Sequence, residues 1–221
     1  MHRIALVCAL ATVNACASAP RLPAQVPPSS QASAAVDSLD PNMVPVGFGS
    51  LRQNEVALEI APSGGLQVRA IPLDERVIRL LSSDSYRSLR DILRSREKDL
   101  ARMRDRGRLT SYSIWYVNFF ALEQGETRFS PQEFIISNVG RDFRPIDVLP
   151  LSPGFGEYRL KQREVQSALI VFDGQLDVNQ PLTAQMEGRM STTNWTDVTQ
   201  RLERERAAVR SRASAASKKG S

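Results

Sequence analysis

The chain has 221 residues and is poor in the side chains that carry much of protein chemistry. It has one histidine, His2, and two cysteines, Cys8 and Cys16, all within the first sixteen positions. Beyond Cys16 there is no imidazole and no thiol. That excludes from the rest of the chain a Ser-His-Asp triad, a Cys-His pair, a His- or Cys-ligated zinc and an internal disulfide. Long apolar runs are also missing. Residues 4–13 make the longest, about half of the roughly twenty residues that a membrane-spanning helix needs. Lysine is scarce: Lys98, Lys161, Lys218 and Lys219 are the only four, so arginine supplies nearly all of the 29 basic residues. Against 24 acidic residues the formal charge is +5.

What is present begins with an export signal. Arg3 and the amino terminus make a short positive start, and an apolar stretch and small residues follow. The segment ends Val13-Asn14-Ala15-Cys16. This aliphatic-x-Ala-Cys ending resembles the lipobox of bacterial lipoproteins. The resemblance implies that residues 1–15 are removed and that Cys16 becomes the new N-terminus. Cys16 then carries fatty acyl chains such as palmitate and anchors the protein to a membrane. Ordinary signal-peptidase cleavage after Ala17 or Ala19 is the other route, and by any of them His2 and Cys8 leave. Ala17, not Asp, follows the cysteine, so the inner-membrane retention signal of enteric bacteria is absent. The implied location is the outer membrane, facing the periplasm. A basic balance suggests nucleic acid in a cytosolic protein. For an exported one we expect no nucleic acid; the polyanions within reach are lipid headgroups and acidic wall polymers.

Residues 16–45 contain six prolines with Ser, Ala and Gln between them. Such a stretch buries too little surface to offset its ordering entropy and reads as an extended tether. One folded domain is expected over 46–195. Alternation at 55–60 and 66–70, across Pro62-Ser63-Gly64-Gly65, predicts a hairpin with Val56, Leu58, Ile60, Leu66 and Val68 inward. The period then becomes helical over 74–106: Asp74 caps a short helix and a long one follows over about 85–106. Tyr86, Leu89, Leu93, Leu100 and Met103 lie on one face of it, and Gly107 stands where a left-handed cap is expected.

Residues 109–187 read as β. Strands are expected over 110–122, 132–137, 144–149, 164–172 and 182–186. The first is central because it is apolar on both faces, and the third is an edge because Pro145 and Pro150 bound it. The fold class is therefore α+β: an antiparallel β-sandwich of about seven strands, a long amphipathic helix inserted after the first hairpin, and a C-terminal helix. The sandwich has Phe129-Ser130-Pro131 leading into a strand, Asn138-Val139-Gly140 as a turn and residues 168–172 as a late core strand. In these it loosely resembles the immunoglobulin-like and telokin-like sandwiches of exported bacterial proteins, which implies a shape and no activity. A helical subdomain standing apart from a five-stranded barrel is the alternative. Residues 196–221 are expected to form a helix to about Arg212 and then a disordered basic tail, with Val198, Leu202 and Val209 on the helix's apolar side.

Few residues carry chemistry. Asp173, Asp177 and Asn179 offer oxygen ligands in one loop, but without EF-hand spacing, and Asp173-Gly174 is also an ordinary turn pair; no metal or other cofactor is expected. Ser95 and Lys98 match Ser-x-x-Lys without its companion motifs. Glu157, Glu164, Asp173 and Asp177 are the acids nearest a loop and core strand that a carboxylate hydrolase could use. Trp115 and Tyr116 face opposite sides of one strand. From Asp84 to Arg108 nine basic residues accompany five acidic ones. Arg87, Arg90, Arg94, Arg102 and Arg106 could meet an anionic surface there, or be paired along a solvated face.

The expectation is a non-enzymatic envelope lipoprotein that acts as a binding or structural module. Its partner is an envelope protein or an anionic wall or lipid surface. A histidine-free hydrolase and a soluble secreted ligand carrier are the alternatives.

Overall fold

The structure, a computed structural model, describes residues 40, 42–62 and 64–219. The expected export signal, Cys16 and nearly all of the expected tether lie outside the described residues. In chain order the elements begin with the hairpin β1 (Leu58–Ile60) and β2 (Leu66–Pro72). Three helices follow: α1 (Glu75–Ile78), α2 (Ser83–Ser95) and α3 (Glu97–Gly107). The β region comprises β3 (Tyr112–Ala121), β4 (Glu126–Arg128), β5 (Ile135–Asn138), β6 (Arg141–Phe143), β7 (Pro145–Pro150), β8 (Arg159–Lys161), β9 (Val165–Asp173), β10 (Leu182–Met186) and β11 (Arg189–Met190). The helix α4 (Trp195–Lys219) closes the chain.

All of the strand pairs are antiparallel. A five-stranded sheet runs β1-β2-β3-β9-β7 and a four-stranded sheet runs β11-β10-β5-β6, with β4 and β8 as a separate ribbon. As the two-sided apolar pattern predicts, β3 is central, and the proline-bounded β7 is an edge. Trp115, Val117 and Phe119 point from β3 into the sandwich. There, Phe134 and Phe172 bring their rings to 6.1 Å, and Ile136, Leu182, Ala184 and Met186 fill the facing side. One contiguous core joins both sheets, α1, α2 and α4, so the helices are not a separate subdomain.

The hairpin's five inward residues are all buried, although 53–56 form a 3₁₀ turn and β1 starts only at Leu58. Asp74 caps α1, its side chain accepting the Arg76 N–H at 2.8 Å. The expected long helix is two helices. The break falls at Arg96, whose N–H bonds Leu93 O at 3.1 Å and whose guanidinium reaches Pro150 O at 2.6 Å. That tertiary contact ties the break to the end of β7. Leu100 and Met103 of α3 then pack on Val171 of β9, over the outer face of the five-stranded sheet. The left-handed residue ending α3 is Arg108 (φ +49°), one position beyond Gly107.

The C-terminal helix belongs to the core. Trp195, Val198, Leu202 and Val209 are buried as the spacing predicts, and so are Glu205 and Arg206. Helix continues to Lys219 where disorder was expected beyond Arg212. Glu205 anchors the start of the described chain, accepting from Ser50 N and Oγ (2.8 and 2.9 Å) and from Arg212 (3.0 Å). Val44 is also buried, two residues ahead of the expected domain start.

Candidate functional site

Arg90 and Arg94 of α2 and Arg104 of α3 line one groove of about 450 Å³, with Leu93, Leu100 and Tyr112 as its apolar lining and Glu97 as an acidic one. Arg104 was not among the expected contacts, although its spacing from Arg90 keeps it on nearly the same helical face. The other three candidates stand elsewhere: Arg102 and Arg106 line a second recess with Leu149, and Arg87 pairs with Asp84 at 2.7 Å. The five expected arginines therefore do not form one face.

Each groove arginine has an acidic neighbour. Arg90 reaches Glu75 at 2.8 Å, Arg94 reaches Asp91 at 3.4 Å and Arg104 reaches Asp105 at 3.2 Å. Arg102 bonds Asp99, and Arg106 lies 3.9 Å from Asp147. The hydrogen bond from Arg102 is the chief cause that holds the Asp99 carboxyl below its usual range. Glu75 is shared with Arg79 (2.7 Å) and the Tyr86 hydroxyl (3.4 Å). Burial, helped by the Glu75 charge, pushes the Tyr86 phenol up. The Arg94 and Arg104 pairs are solvent-exposed, and such pairs contribute only about 0–1 kcal/mol. A stronger anion can therefore displace the carboxylates at little cost.

The acids fall into two places. Glu157 and Glu164 line a cleft of about 480 Å³ with Glu126, Arg159, Lys161 and Gln166. Arg159 donates to Glu157 at 2.9 Å and to Glu126 at 3.5 Å. Glu164 accepts from Lys161 N (2.8 Å) and Gln166 Nε2 (3.0 Å). These bonds, the backbone one foremost, hold its carboxyl below the usual range. A general acid needs a shift in the other direction. Glu126 was missed because β4 is too short to show a period.

Asp173 and Asp177 are not in that cleft. Asp173 ends β9 opposite Tyr112. Asp177 Oδ1 accepts the Asn179 N–H at 3.0 Å and lies 4.0 Å from Arg76. Asn179 Oδ1 accepts from Arg206 at 3.3 Å, and Asn138 pins the loop by bonding Asp177 and Pro181. The loop oxygens thus face amides and guanidinium groups. No cluster of three or more acidic, histidine or cysteine side chains suited to a metal occurs among the described residues.

Ser95 Oγ donates to Ile92 O at 2.7 Å, and Lys98 lies across the break in α3, so the Ser-x-x-Lys pair does not form a unit. Trp115 is core and Tyr116 lies half-buried on the outer face, packed against the core's edge. Among the described residues no helix is long and apolar enough to cross a membrane. No family model, curated protein or solved structure matches the chain.

Proposed function

We propose that this protein is a non-enzymatic module of the bacterial cell envelope. It is held to the outer membrane by acyl chains on Cys16 and meets an anionic surface with the groove between α2 and α3. The observation that carries the proposal is the convergence of Arg90, Arg94 and Arg104 on one groove lined by Leu93, Leu100 and Tyr112. Cationic heads over apolar side chains suit a phosphate-bearing amphiphile, with each arginine near such a surface contributing roughly 1 kcal/mol. The non-enzymatic part is supported by the downward shift at Glu164 and by the pairing of Glu126 and Glu157 with Arg159.

The test is co-sedimentation of the Cys16→Ser protein with vesicles of phosphatidylglycerol or of phosphatidylcholine. We expect retention on the anionic vesicles alone, weakening as salt rises toward 0.15 M, where the screening length is about 8 Å. Arg94→Glu with Arg104→Glu should abolish retention. Equal retention of wild type and double variant at low salt would overturn the groove's role. Fatty-acid labelling of the wild type, lost in Cys16→Ser, tests the anchor.

A further inference from the structure

One acid stands in the row of groove arginines. Arg90, Arg94, Glu97, Ala101 and Arg104 recur at alternating steps of four and three, so they share one helical stripe. The break at Arg96 does not cut the stripe: the Arg96 N–H bonds Leu93 O at 3.1 Å and the Leu100 N–H bonds Arg96 O at 2.9 Å. Along the groove the charges therefore run plus, plus, minus, plus.

The three arginines each meet an acid that is not part of the groove lining, namely Glu75, Asp91 and Asp105. Glu97 is exposed, and its carboxylate has no ion-pair or hydrogen-bond partner among the described residues. At 1.5 Å of rise per residue it stands about 4–5 Å beyond Arg94 and about 10 Å short of Arg104. It also falls between Leu93 and Leu100 of the apolar lining, one helical turn from each.

This order of charges selects among ligands. A plain anion would be attracted by the arginines and repelled by Glu97 at the middle of the stripe. A plain cation would meet three guanidinium groups. A headgroup that carries both signs, with phosphate and ammonium only two carbons apart, matches the step from Arg94 to Glu97. A primary ammonium can also donate hydrogen bonds to the carboxylate, which strengthens the contact; a trimethylated one has no N–H to give. We propose that the groove selects an ethanolamine-type phospholipid. Its phosphate lies on Arg90 and Arg94, its primary ammonium donates to Glu97, and its glycerol end meets Leu93, Leu100 and Tyr112. Arg104 is left for the phosphate of a neighbouring anionic lipid. This assignment rests on the lipid-surface role of the groove proposed above and names the lipid class within it.

The experiment is co-sedimentation of the Cys16→Ser protein with two sets of vesicles that hold an equal share of phosphatidylglycerol. The remainder is phosphatidylethanolamine in one set and phosphatidylcholine in the other. Wild-type groove residues should give about threefold tighter binding to the ethanolamine set, within the range that one exposed ion pair supplies. Glu97→Gln separates headgroup recognition from bilayer packing, because its two effects differ in sign. It removes a negative charge, so binding to the choline set should tighten. It also removes the ammonium's acceptor, so binding to the ethanolamine set should not gain and the preference should vanish. Glu97 is exposed and unpaired, so the variant should keep the parent's melting temperature. Equal binding to both sets, or a preference that Glu97→Gln leaves intact, overturns the lipid assignment while the groove's surface role stands. Retention on neither set overturns both.

Discussion

Trp115 on the central strand and Trp195 in the first turn of the C-terminal helix lie with ring centroids 6.1 Å apart, and both are almost wholly buried. Trp195 also donates its Nε1–H to Val178 O at 2.9 Å, which ties the helix to the loop before β10. The contact makes α4 part of the fold. Trp195→Ala should therefore destabilise by about 3–5 kcal/mol, as truncation of a large core aromatic does. These are the only two tryptophans, so native emission should be blue-shifted and move red in one transition on urea unfolding. A Trp195→Ala midpoint equal to wild type would place α4 outside the cooperative unit.

The sequence exposed the parts of this fold that repeat. Alternation at Val56, Leu58, Ile60, Leu66 and Val68 marked five side chains that are all buried, and helical spacing marked Leu89, Leu100 and Met103. The short strands β4, β6, β8 and β11, unlike β1 with its alternating flank, have no period to read. The break at Arg96 carries a contact to the Pro150 carbonyl, 54 positions away, which no local pattern marks. The end of α4 was legible in principle: its last two turns are rich in Ala, the strongest helix former. The groove follows a helical stripe through Arg90, Arg94 and Arg104 that the spacing marks. The cleft needs Glu126 and Gln166 brought together by the β4–β8 ribbon and the inner face of β9.

Arg206 has no exposed surface, although nothing in its charged surroundings along α4 sets it apart. Its guanidinium bonds Glu203, Asn179 Oδ1 at 3.3 Å and Arg76 O at 3.5 Å, joining α4, the loop before β10 and α1. Arg206→Ala leaves a cavity and unpaired acceptors and should cost about 3–5 kcal/mol. Arg206→Met keeps most of the volume and should cost clearly less. Equal losses by chemical denaturation would show that charge, not packing, dominates.

Val139 is a β-branched residue at φ +50° in the tight turn between β5 and β6, with Gly140 at φ +73° beside it. It is 72% exposed, so no packing offsets the strain. Asn tolerates this conformation far better. Val139→Asn should raise stability by about 0.5–1 kcal/mol, within the usual gain from relieving a backbone mismatch. A lower melting temperature for the variant would count against a left-handed Val139.

Glu164 ties stability to acid pH with a definite sign. Its carboxyl is held below the usual range in the fold, first by the Lys161 N–H and then by the Gln166 amide. In the unfolded chain it titrates near the ordinary glutamate value of about 4.3. A lowered folded value means that the unfolded state binds the proton more readily. The stabilisation is therefore fully present above about pH 4.3 and is lost as pH falls through the folded value. Wild type and Glu164→Gln should differ in urea midpoint at pH 7, and the difference should shrink steadily on acidification below the ordinary glutamate range. A gap that widens as pH falls would mean that the Glu164 carboxyl is raised by its surroundings, and would reopen the cleft as a source of a general acid.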